Sequence, residues 1–281
     1  QNVMSVSLLR LKDGRIAFFY LRKNSDGDCR PVVRFSSDDG QTWSAAAGCV
    51  ADADRAYYVL NNDRVIQLQS GRIIMPLSCH NVAPSRVRCC FSDDDGKTWR
   101  LTPLAPPLQD AAGKGHDEQE PGIVELKDGS VLMFIRNPLG TIAFSTSKDR
   151  GETWSAPVLS KLPAPIAPTS IKRLLNGDLL IAWNDQANLP GALKGRRVPL
   201  TLAISRDEGK TWVHRKVLEG NPNGWYCYTA ILPVGGQVLL GYCAMDYLTH
   251  ARITRVPVKW LYEDAPAPHG GSANLNGFFN D

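Results

Sequence analysis

Residues 36–43 read SSDDGQTW, and the same pattern returns as SDDDGKTW at 92–99, SKDRGETW at 147–154 and SRDEGKTW at 205–212. Each copy follows Ser-x-Asp-x-Gly-x-Thr-Trp and is referred to below as a box, numbered 1 to 4 along the chain. Successive box tryptophans are 56, 55 and 58 residues apart. A regular spacing of this size is typical of folds that repeat one supersecondary unit.

The residues of a box predict a tight turn. The aspartate can accept hydrogen bonds from backbone N–H groups of the turn, and the glycine can adopt the positive φ angle that other residues resist. The tryptophan ring can then pack between neighbouring units. We therefore expect the boxes to be structural, with acidic and hydroxyl side chains that take no part in catalysis.

A second pattern precedes each box and occurs once more near the end of the chain. Two stretches rich in β-forming residues flank a short turn of the Asp-Gly, Ser-Gly, Asn-Gly or Gly-Gly type, which predicts a β-hairpin. No segment shows the sustained period of a helix. The five hairpin segments are SLLRLKDGRIAFFYL (7–21), RVIQLQSGRIIMPLS (64–78), GIVELKDGSVLMFIR (122–136), SIKRLLNGDLLIAWN (170–184) and TAILPVGGQVLLGYC (229–243).

Together the two patterns predict an all-β protein of five antiparallel sheets, each about 56 residues long. Radial repetition of such sheets gives a β-propeller. We predict one propeller domain over residues 1–281, with six blades only if a blade lies outside this chain. The predicted blades lie near residues 4–57, 58–116, 117–163, 164–223 and 224–262, followed by an irregular C-terminal tail, 263–281.

Charge and composition exclude several classes of protein. The 281 residues include 32 basic and 28 acidic ones, and the net charge of +4 is scattered along the chain. We therefore expect no nucleic-acid partner, since such a partner needs a clustered basic face. No apolar run approaches the roughly 18 residues that span a bilayer. The first ten residues, QNVMSVSLLR, lack the basic start and apolar core of a signal peptide.

The seven cysteines leave two alternatives open. Their number is odd and no CxxC pair accompanies a histidine cluster, so we expect no metal site and no metal or organic cofactor. Several cysteines lie in apolar strands, where a free thiol behaves as a small hydrophobic group. The alternative is one or two disulfides, for example within the hairpin from Cys79 to Cys90.

The boxes on hairpin sheets resemble those of the sialidase superfamily of β-propellers, also known as BNR-repeat proteins, over roughly residues 6–262. The resemblance implies an arginine triad that binds a substrate carboxylate, a tyrosine nucleophile assisted by a glutamate, and an aspartate as acid/base. Boxes also occur in propellers that are not enzymes. The resemblance to an enzyme therefore depends on residues outside the boxes.

One such stretch is HDEQEPGIVELKDGSVLMFIRN (116–137), which resembles the sialidase segment with the assisting glutamate and the second triad arginine. On this resemblance Glu120 is the glutamate and Arg136 the arginine. They lie at the start of one strand and the end of the next, which antiparallel pairing brings to one rim. His116 in the same charged loop, and Trp183 at the equivalent strand end of the fourth repeat, are further candidates for substrate contact.

Two later stretches resemble other parts of the sialidase site. In GALKGRRVPLTLAIS (191–205), Arg197 is the first choice for the third triad arginine and Arg196 the alternative. In GWYCYTAIL (224–232), Tyr226 is the first choice for the nucleophile, and Tyr228 is the alternative and a candidate for substrate contact. A neutral phenol, with a usual pKa of about 10, is a poor nucleophile. A carboxylate such as Glu120 could take its proton.

The first repeat departs from the family pattern. Sialidases begin this repeat with Arg-Ile-Pro, whereas residues 3–6 read VMSV, so Arg30 or Arg64 is the candidate for the missing triad member. The acid/base aspartate is expected in the loop after the second strand. There, RKNSDGDCR (22–30) offers Asp28 and Asp26.

The resemblance implies a glycoside hydrolase that removes a terminal acidic sugar, sialic acid or a relative, from a glycan. Three alternatives stay open: a glycosidase for a different sugar, a glycan-binding propeller without catalysis, and a structural or protein-interaction propeller. The habit of the family predicts a secreted or periplasmic protein. The number of subunits is left open.

Overall fold

The computed structural model describes residues 2–187, 189–245 and 251–263, which contain β-strands and three short 3-10 helices. The predicted irregular tail, apart from Glu263, lies outside the described residues. The described residues divide into two compact units. The first is drawn from Gln1–Ile135 and Ala143–Val158, and the second from Arg136–Ile142 and Leu159–Asp281.

Sheet 1 is a four-stranded antiparallel sheet in the order β1-β2-β3-β4. Alternation along its second strand places Ala17, Phe19 and Leu21 on the buried face, as expected for a strand with one face in the core. Its strands are β1 (Asn2–Arg10), β2 (Ile16–Ser25), β3 (Asp28–Ser36) and β4 (Ala47–Gly48).

Sheet 2 has the order β5-β7-β8-β9, with β6 also paired to β7. Every residue of β7, which reads IIMPLSC, is buried. The buried side chains of sheets 1 and 2 form one core cluster, which includes Phe19, Tyr58 and Met75. After the 3-10 helix Asp52–Asp54, the strands are β5 (Tyr58–Val59), β6 (Ile66–Gln67), β7 (Ile73–Cys79), β8 (Arg86–Ser92) and β9 (Arg100–Leu101).

Sheet 3 has the order β10-β11-β12-β13, and its strand β11 is apolar and buried up to its last residue. Leu126 and Ser130 close the turn between the first two strands by a backbone hydrogen bond of 2.8 Å. The strands are β10 (Gln119–Glu125), β11 (Val131–Arg136), β12 (Thr141–Ser147) and β13 (Val158–Pro163).

Sheets 4 and 5 belong to the second unit and share a core cluster that includes Leu202, Leu240 and Trp260. Sheet 4 has four strands and sheet 5 has three, all antiparallel. The elements are β14 (Ser170–Arg173), β15 (Leu179–Asn184), the 3-10 helix Gly191–Leu193, β16 (Leu200–Ser205) and β17 (Val213–Glu219), then β18 (Trp225–Val234), β19 (Gln237–Met245), β20 (Ala251–Pro257) and the 3-10 helix Lys259–Tyr262.

Box 1 forms the tight turn that the sequence predicts. The Ser36 hydroxyl accepts a hydrogen bond from the Gly40 amide at 2.8 Å and donates one to Asp38 at 2.7 Å. The other end of the Asp38 carboxylate accepts from the Thr42 hydroxyl at 2.5 Å, and its first oxygen accepts from the Thr42 amide. The Trp43 indole donates to the Gly40 carbonyl at 3.0 Å. The aspartate is therefore fully engaged within its own turn.

The same hydrogen bonds among serine, aspartate, glycine and threonine recur in boxes 2, 3 and 4. The glycine of every box has φ between +86° and +89°, a backbone conformation that a residue without Cβ adopts without steric strain. A Cβ on Gly96 would overlap the ring of Phe35 in β3, and one on Gly151 would overlap Ile74 in β7. Boxes 2 and 3 therefore pack against the sheet that precedes each of them.

The five predicted hairpins and the all-β class are confirmed, with one sheet for each hairpin. The predicted domain boundaries stay a prediction. All seven cysteines lie in the described residues and all are free thiols. The hairpin from Cys79 to Cys90 pairs Cys79 with Arg86 and Cys90 with Met75, so these two cysteines are not opposed across the sheet.

Candidate functional site

Arg64 is a buried cation in the first unit. It lies in the loop between β5 and β6, and its amide donates to the Ser7 hydroxyl at 3.0 Å. Its guanidinium carbon is 5.6 Å from the centre of the Phe134 ring. Burial lowers the pKa of Arg64, whereas the negative charges of Asp63 and Glu120 raise it. The first unit thus brings together one guanidinium and two carboxylates. Arg64 and Glu120 were predicted site residues, and Asp63 was not.

Gly122 makes the room for this cation. It lies in β10, where a Cβ would overlap the Phe134 ring and would come within 2.9 Å of the Arg64 Cδ atom. A strand glycine often marks a close approach by another group, and here that group is the arginine side chain stacked on an aromatic ring. The packing of β10 therefore holds Arg64 beside the strand that carries Glu120.

Glu120 itself has a strained backbone. It is half-buried at the second position of β10, and its φ angle is +41°. Left-handed backbone is unfavourable for a residue with a Cβ, and such residues are frequent at functional sites. Pro121 follows it, and proline cannot donate a backbone hydrogen bond. These features support a functional role for Glu120 rather than for its neighbours.

The other charged side chains of the predicted loop form hydrogen bonds with neighbouring parts of the first unit. His116 contacts Asp110 at 2.9 Å, and Asp117 accepts from the Ser85 amide at 2.8 Å. Glu118 is buried and accepts from the amides of Leu108 and Val87. Burial raises the pKa of Glu118 to about 7. The structure thus places His116 in a turn-closing pair.

Asp28 and Arg30 form an ion pair in the first sheet. The Arg30 Nε atom donates to Asp28 at 2.6 Å and the Asn24 amide donates at 3.0 Å. These hydrogen bonds lower the pKa of Asp28. Arg30 also contacts Asp52 at 2.7 Å, so two carboxylates engage its guanidinium. Asp26, by contrast, has a side chain that is 95% exposed and pairs with Lys23.

Arg197 lies against two aromatic rings in the second unit. Its guanidinium carbon is 4.8 Å from the ring centre of Trp225 and 5.4 Å from that of Tyr228. Burial lowers the pKa of Arg197, but the neighbouring Cys227 and Tyr228 side chains outweigh this effect and raise it. This arrangement holds a planar cation against an indole ring and a phenol ring.

The two candidate tyrosines occupy different environments. Tyr226 is buried in the core of the second unit, with its ring so close to Gly224 that a Cβ there would overlap it. Its amide donates to the Arg197 carbonyl at 3.0 Å. Tyr228 is half-buried, has φ of +58°, and lies in a register shift between Cys227 and Ala230. The accessible and strained tyrosine is therefore Tyr228.

The remaining predicted residues have varied environments. Arg136 ends β11 and is half-buried. Arg196 is half-buried, and its backbone closes the turn after the 3-10 helix through a 3.1 Å bond to the Leu193 carbonyl. Trp183 is buried, with the Arg215 guanidinium 5.7 Å from its ring centre. Trp183 is thus a packing residue at its strand end.

Three side chains near the predicted residues were not foreseen as part of the site. Asp63 precedes Arg64 in the turn-rich LNNDR stretch, and Trp225 and Cys227 flank Tyr226 in GWYCYTAIL. Trp225 and Cys227 could have been found from the alternation of side chains at the start of this strand, which places them on one face. Within the described residues no group of three or more His, Cys, Asp or Glu side chains could hold a metal ion.

No helix among the described residues has the length and apolar character needed to cross a bilayer.

A model of the BNR repeat-like domain matches residues 2–240. A sialidase from Bacteroides fragilis is 29% identical over 216 residues, which cover 71% of this chain and 37% of the relative. A sialidase from Micromonospora viridifaciens is 28% identical over 226 residues, which cover 74% of this chain and 33% of the relative.

Among solved structures, the Hadza microbial sialidase Hz136 superposes with a TM-score of 0.72 at 19% identity, covering 92% of this chain and 53% of that one. The superposition confirms the predicted all-β fold, a β-propeller of the sialidase type, with five blades among the described residues. This chain spans about a third of the length of the two curated relatives above.

Proposed function

This chain belongs to the BNR repeat-like domain family, and from that premise we propose that it is a sialidase-like exo-glycoside hydrolase that removes a terminal acidic sugar from a glycan. Both relatives compared above are named sialidases. The observation that carries the proposal is the guanidinium of Arg197 held against the rings of Trp225 and Tyr228.

Arg197 is suited to bind an anionic sugar. Aromatic rings lie within 5.4 Å of its guanidinium carbon, at Trp225 and Tyr228, and such contacts restrain the orientation of the planar cation. A guanidinium with a fixed orientation can donate two parallel hydrogen bonds to one carboxylate. We assign Arg197 this role, with Arg136 and Arg64 as the other proposed carboxylate ligands.

Tyr228 is the proposed nucleophile. A phenol becomes a better nucleophile when its anionic form is favoured, and a nearby positive charge favours that form. The Arg197 guanidinium carbon is 5.4 Å from the ring centre of Tyr228, whereas Tyr226 is enclosed in the core. The strained backbone of Tyr228 is a second feature frequent at functional sites. Glu120 is the proposed proton acceptor on account of its own strained backbone.

Asp28 is the proposed acid/base, in preference to the exposed Asp26. A general acid must carry a proton, and the hydrogen bonds from Arg30 favour the ionised form of Asp28. Catalysis by Asp28 therefore requires that substrate binding weaken its contact with Arg30.

We further propose a secreted or periplasmic location, where glycan substrates occur.

The ion pair of Asp28 and Arg30 also favours a second candidate function, a glycan-binding propeller without catalysis. A carboxylate that stays ionised because its 2.6 Å contact with Arg30 persists cannot protonate a leaving group. In that case Arg197 would still bind the acidic sugar, and no bond would break.

The test is hydrolysis of a fluorogenic α-sialoside by the wild type and by Tyr228→Phe, with Tyr226→Phe as the matched control. We expect Tyr228→Phe to lose hydrolysis and Tyr226→Phe to keep it. Loss in Tyr226→Phe alone would transfer the nucleophile role to that residue. Binding of a sialoside without hydrolysis in the wild type, measured by calorimetry, would support the second candidate.

A further inference from the structure

Cys227 and Cys243 are directly opposed on neighbouring strands of sheet 5. They are Cα partners in the antiparallel pairing of β18 with β19. Side chains of directly opposed residues project from the same face of a sheet. Opposed Cα atoms in antiparallel sheets are about 4.5–5.5 Å apart, which is within the range of about 4.4–6.8 Å that disulfides span. The backbone therefore already has the spacing that a disulfide needs.

The pair lies on the face of the sheet that points away from the core of the second unit. The next pair along, Tyr226 and Ala244, is in that core, and alternation places Cys227 and Cys243 on the opposite face together with Trp225. Cys227 is 3% exposed, whereas Cys243 is half-buried and Trp225 is 40% exposed. A small oxidant can therefore reach the Cys243 sulfur, and Cys227 is the buried partner that would resolve the oxidised form.

The other cysteines lack this combination of opposition and access. Cys49 and Cys90 are close, since the Cys90 thiol donates to the Cys49 carbonyl at 3.2 Å, but both are buried, whereas Cys243 of the opposed pair is half-buried. Cys89 is opposed to Pro76, and Cys29 to Lys23. Both thiols of the opposed pair are free in this structure.

The pair also contacts the group that we propose binds substrate. Burial raises the pKa of the Cys227 thiol, and the nearby Arg197 guanidinium acts against this by lowering it; Arg197 in turn contacts the ring of Tyr228. The register shift that carries Tyr228 begins directly after Cys227. A chemical change at Cys227 would therefore act on Arg197 and on the backbone of Tyr228.

We propose that Cys227 and Cys243 are a reversible oxidation site, at which a hydroperoxide converts the two thiols into a cross-strand disulfide. The Cys243 thiolate attacks one peroxide oxygen, the O–O bond breaks, and the other oxygen leaves as an alcohol, or as water from hydrogen peroxide, with the thiol proton. The Cys227 sulfur then attacks the sulfenic acid on Cys243. The S–S bond forms, the S–O bond breaks, and the hydroxyl leaves as water with the Cys227 proton. Two thiols are oxidised and one peroxide is reduced.

The disulfide has a consequence for the proposed substrate site. Oxidation turns the Cys227 sulfur toward Cys243 and prevents it from carrying a negative charge, so Arg197 loses an interaction that helps to hold it. We expect weaker binding of the acidic sugar by the oxidised protein, and recovery on reduction. This consequence rests on the proposed function, whereas formation of the disulfide does not.

The disulfide is tested on the folded protein with hydrogen peroxide, followed by thiol counting and peptide mass spectrometry. We expect two fewer free thiols, a cross-linked peptide that contains Cys227 and Cys243, and full reversal by dithiothreitol. Cys243→Ser should show no cross-link, and Cys79→Ser, which leaves the pair intact, should show it. Circular dichroism of each variant establishes that it is folded. A sulfinic acid on Cys243 with Cys227 still reduced, or a disulfide between two chains, would overturn the proposal.

A second measurement separates the two proposals. Binding of a sialoside is compared for reduced and oxidised protein, with Cys243→Ser treated in the same way. A several-fold increase in Kd on oxidation of the wild type, absent in Cys243→Ser, supports a link between the pair and Arg197. An unchanged Kd in protein that carries the disulfide would refute that link. If the reduced protein binds no acidic sugar, the proposed function fails, and the peptide cross-link still decides the oxidation site.

Discussion

The guanidinium of Arg72 donates a hydrogen bond to the carbonyl oxygen of Arg150 at 3.0 Å, and so joins the start of β7 to box 3. The same guanidinium contacts Asp93 and Glu152 and lies 3.8 Å from the centre of the Phe91 ring. An arginine after the hairpin glycine thus anchors the box of the following sheet. Arg15 has the equivalent place in sheet 1, with a 3.2 Å bond to the carbonyl of Asp95 in box 2.

Replacement of Arg72 by methionine should lower the free energy of unfolding by about 2–3 kcal/mol, because it removes hydrogen bonds that involve charged groups. Arg72 is 2% exposed, whereas Arg15 is 29% exposed, so Arg15→Met should cost less than about 1 kcal/mol. Urea denaturation of both variants measures the difference. An equal loss of free energy of unfolding in the two variants would contradict the claim that burial strengthens the contribution of Arg72.

The glycines of boxes 1 and 2 allow a matched comparison. Gly40 and Gly96 have φ of +88° and +86°, so alanine at either position is strained by about 1 kcal/mol. A Cβ at Gly96 would in addition overlap the Phe35 ring, whereas one at Gly40 would meet only Trp43, at 3.5 Å. We expect Gly96→Ala to cost about 1–3 kcal/mol more than Gly40→Ala, as measured by thermal unfolding. Equal costs would mean that the ring moves aside freely.

Trp225 should act as a positioning residue for Arg197. Its ring centre is 4.8 Å from the guanidinium carbon, and a contact of this kind contributes about 0.5–2 kcal/mol. Trp225→Leu should therefore raise KM for an acidic sugar several-fold and leave kcat nearly unchanged, while Trp225→Phe should restore much of the loss. Steady-state kinetics of both variants check this. A fall in kcat with constant KM would instead place Trp225 in the chemical step.

Glu118 should make stability depend on pH. Burial raises its pKa from 4.5 to about 7, so the folded protein holds a proton that the unfolded chain releases. The resulting stabilisation is complete below pH 4.5 and is lost as the pH rises from about 4.5 to 7. Glu118→Gln, which cannot titrate, should lack this component. Urea denaturation of both proteins at several pH values gives the difference, and parallel curves would contradict the assignment.

The fold was predictable because its determinants are local. The turn chemistry of Ser36, Asp38, Gly40 and Thr42 is contained in eight residues and occurs four times. The alternation around each hairpin is equally local. Neither prediction required knowledge of which segments meet in space.

The choice between Tyr226 and Tyr228 was less accessible to sequence reasoning. Regular alternation would place both rings on the same face of β18. The register shift after Cys227 breaks that alternation and leaves Tyr226 in the core and Tyr228 half-buried. No residue in GWYCYTAIL signals this shift, since the left-handed position is occupied by a tyrosine rather than by a glycine.

The environment of Asp28 likewise could not be predicted from the sequence around it, because it depends on how two strands pair. RKNSDGDCR suggests an ordinary turn, whereas the low pKa of Asp28 depends on the directions in which Arg30 and Asn24 point after β2 and β3 pair. Pairing fixes those directions, and the sequence pattern alone does not.

The hydrogen bonds of each box have a consequence for the order of folding. In box 1 the side-chain bonds among Ser36, Asp38, Gly40 and Thr42 span no more than four residues. Closing so short a loop costs little chain entropy. Strand pairing in a β-rich chain is slow because distant segments must meet first. The boxes can therefore form while the flanking strands are still unpaired, and they give the chain four early nuclei at regular intervals.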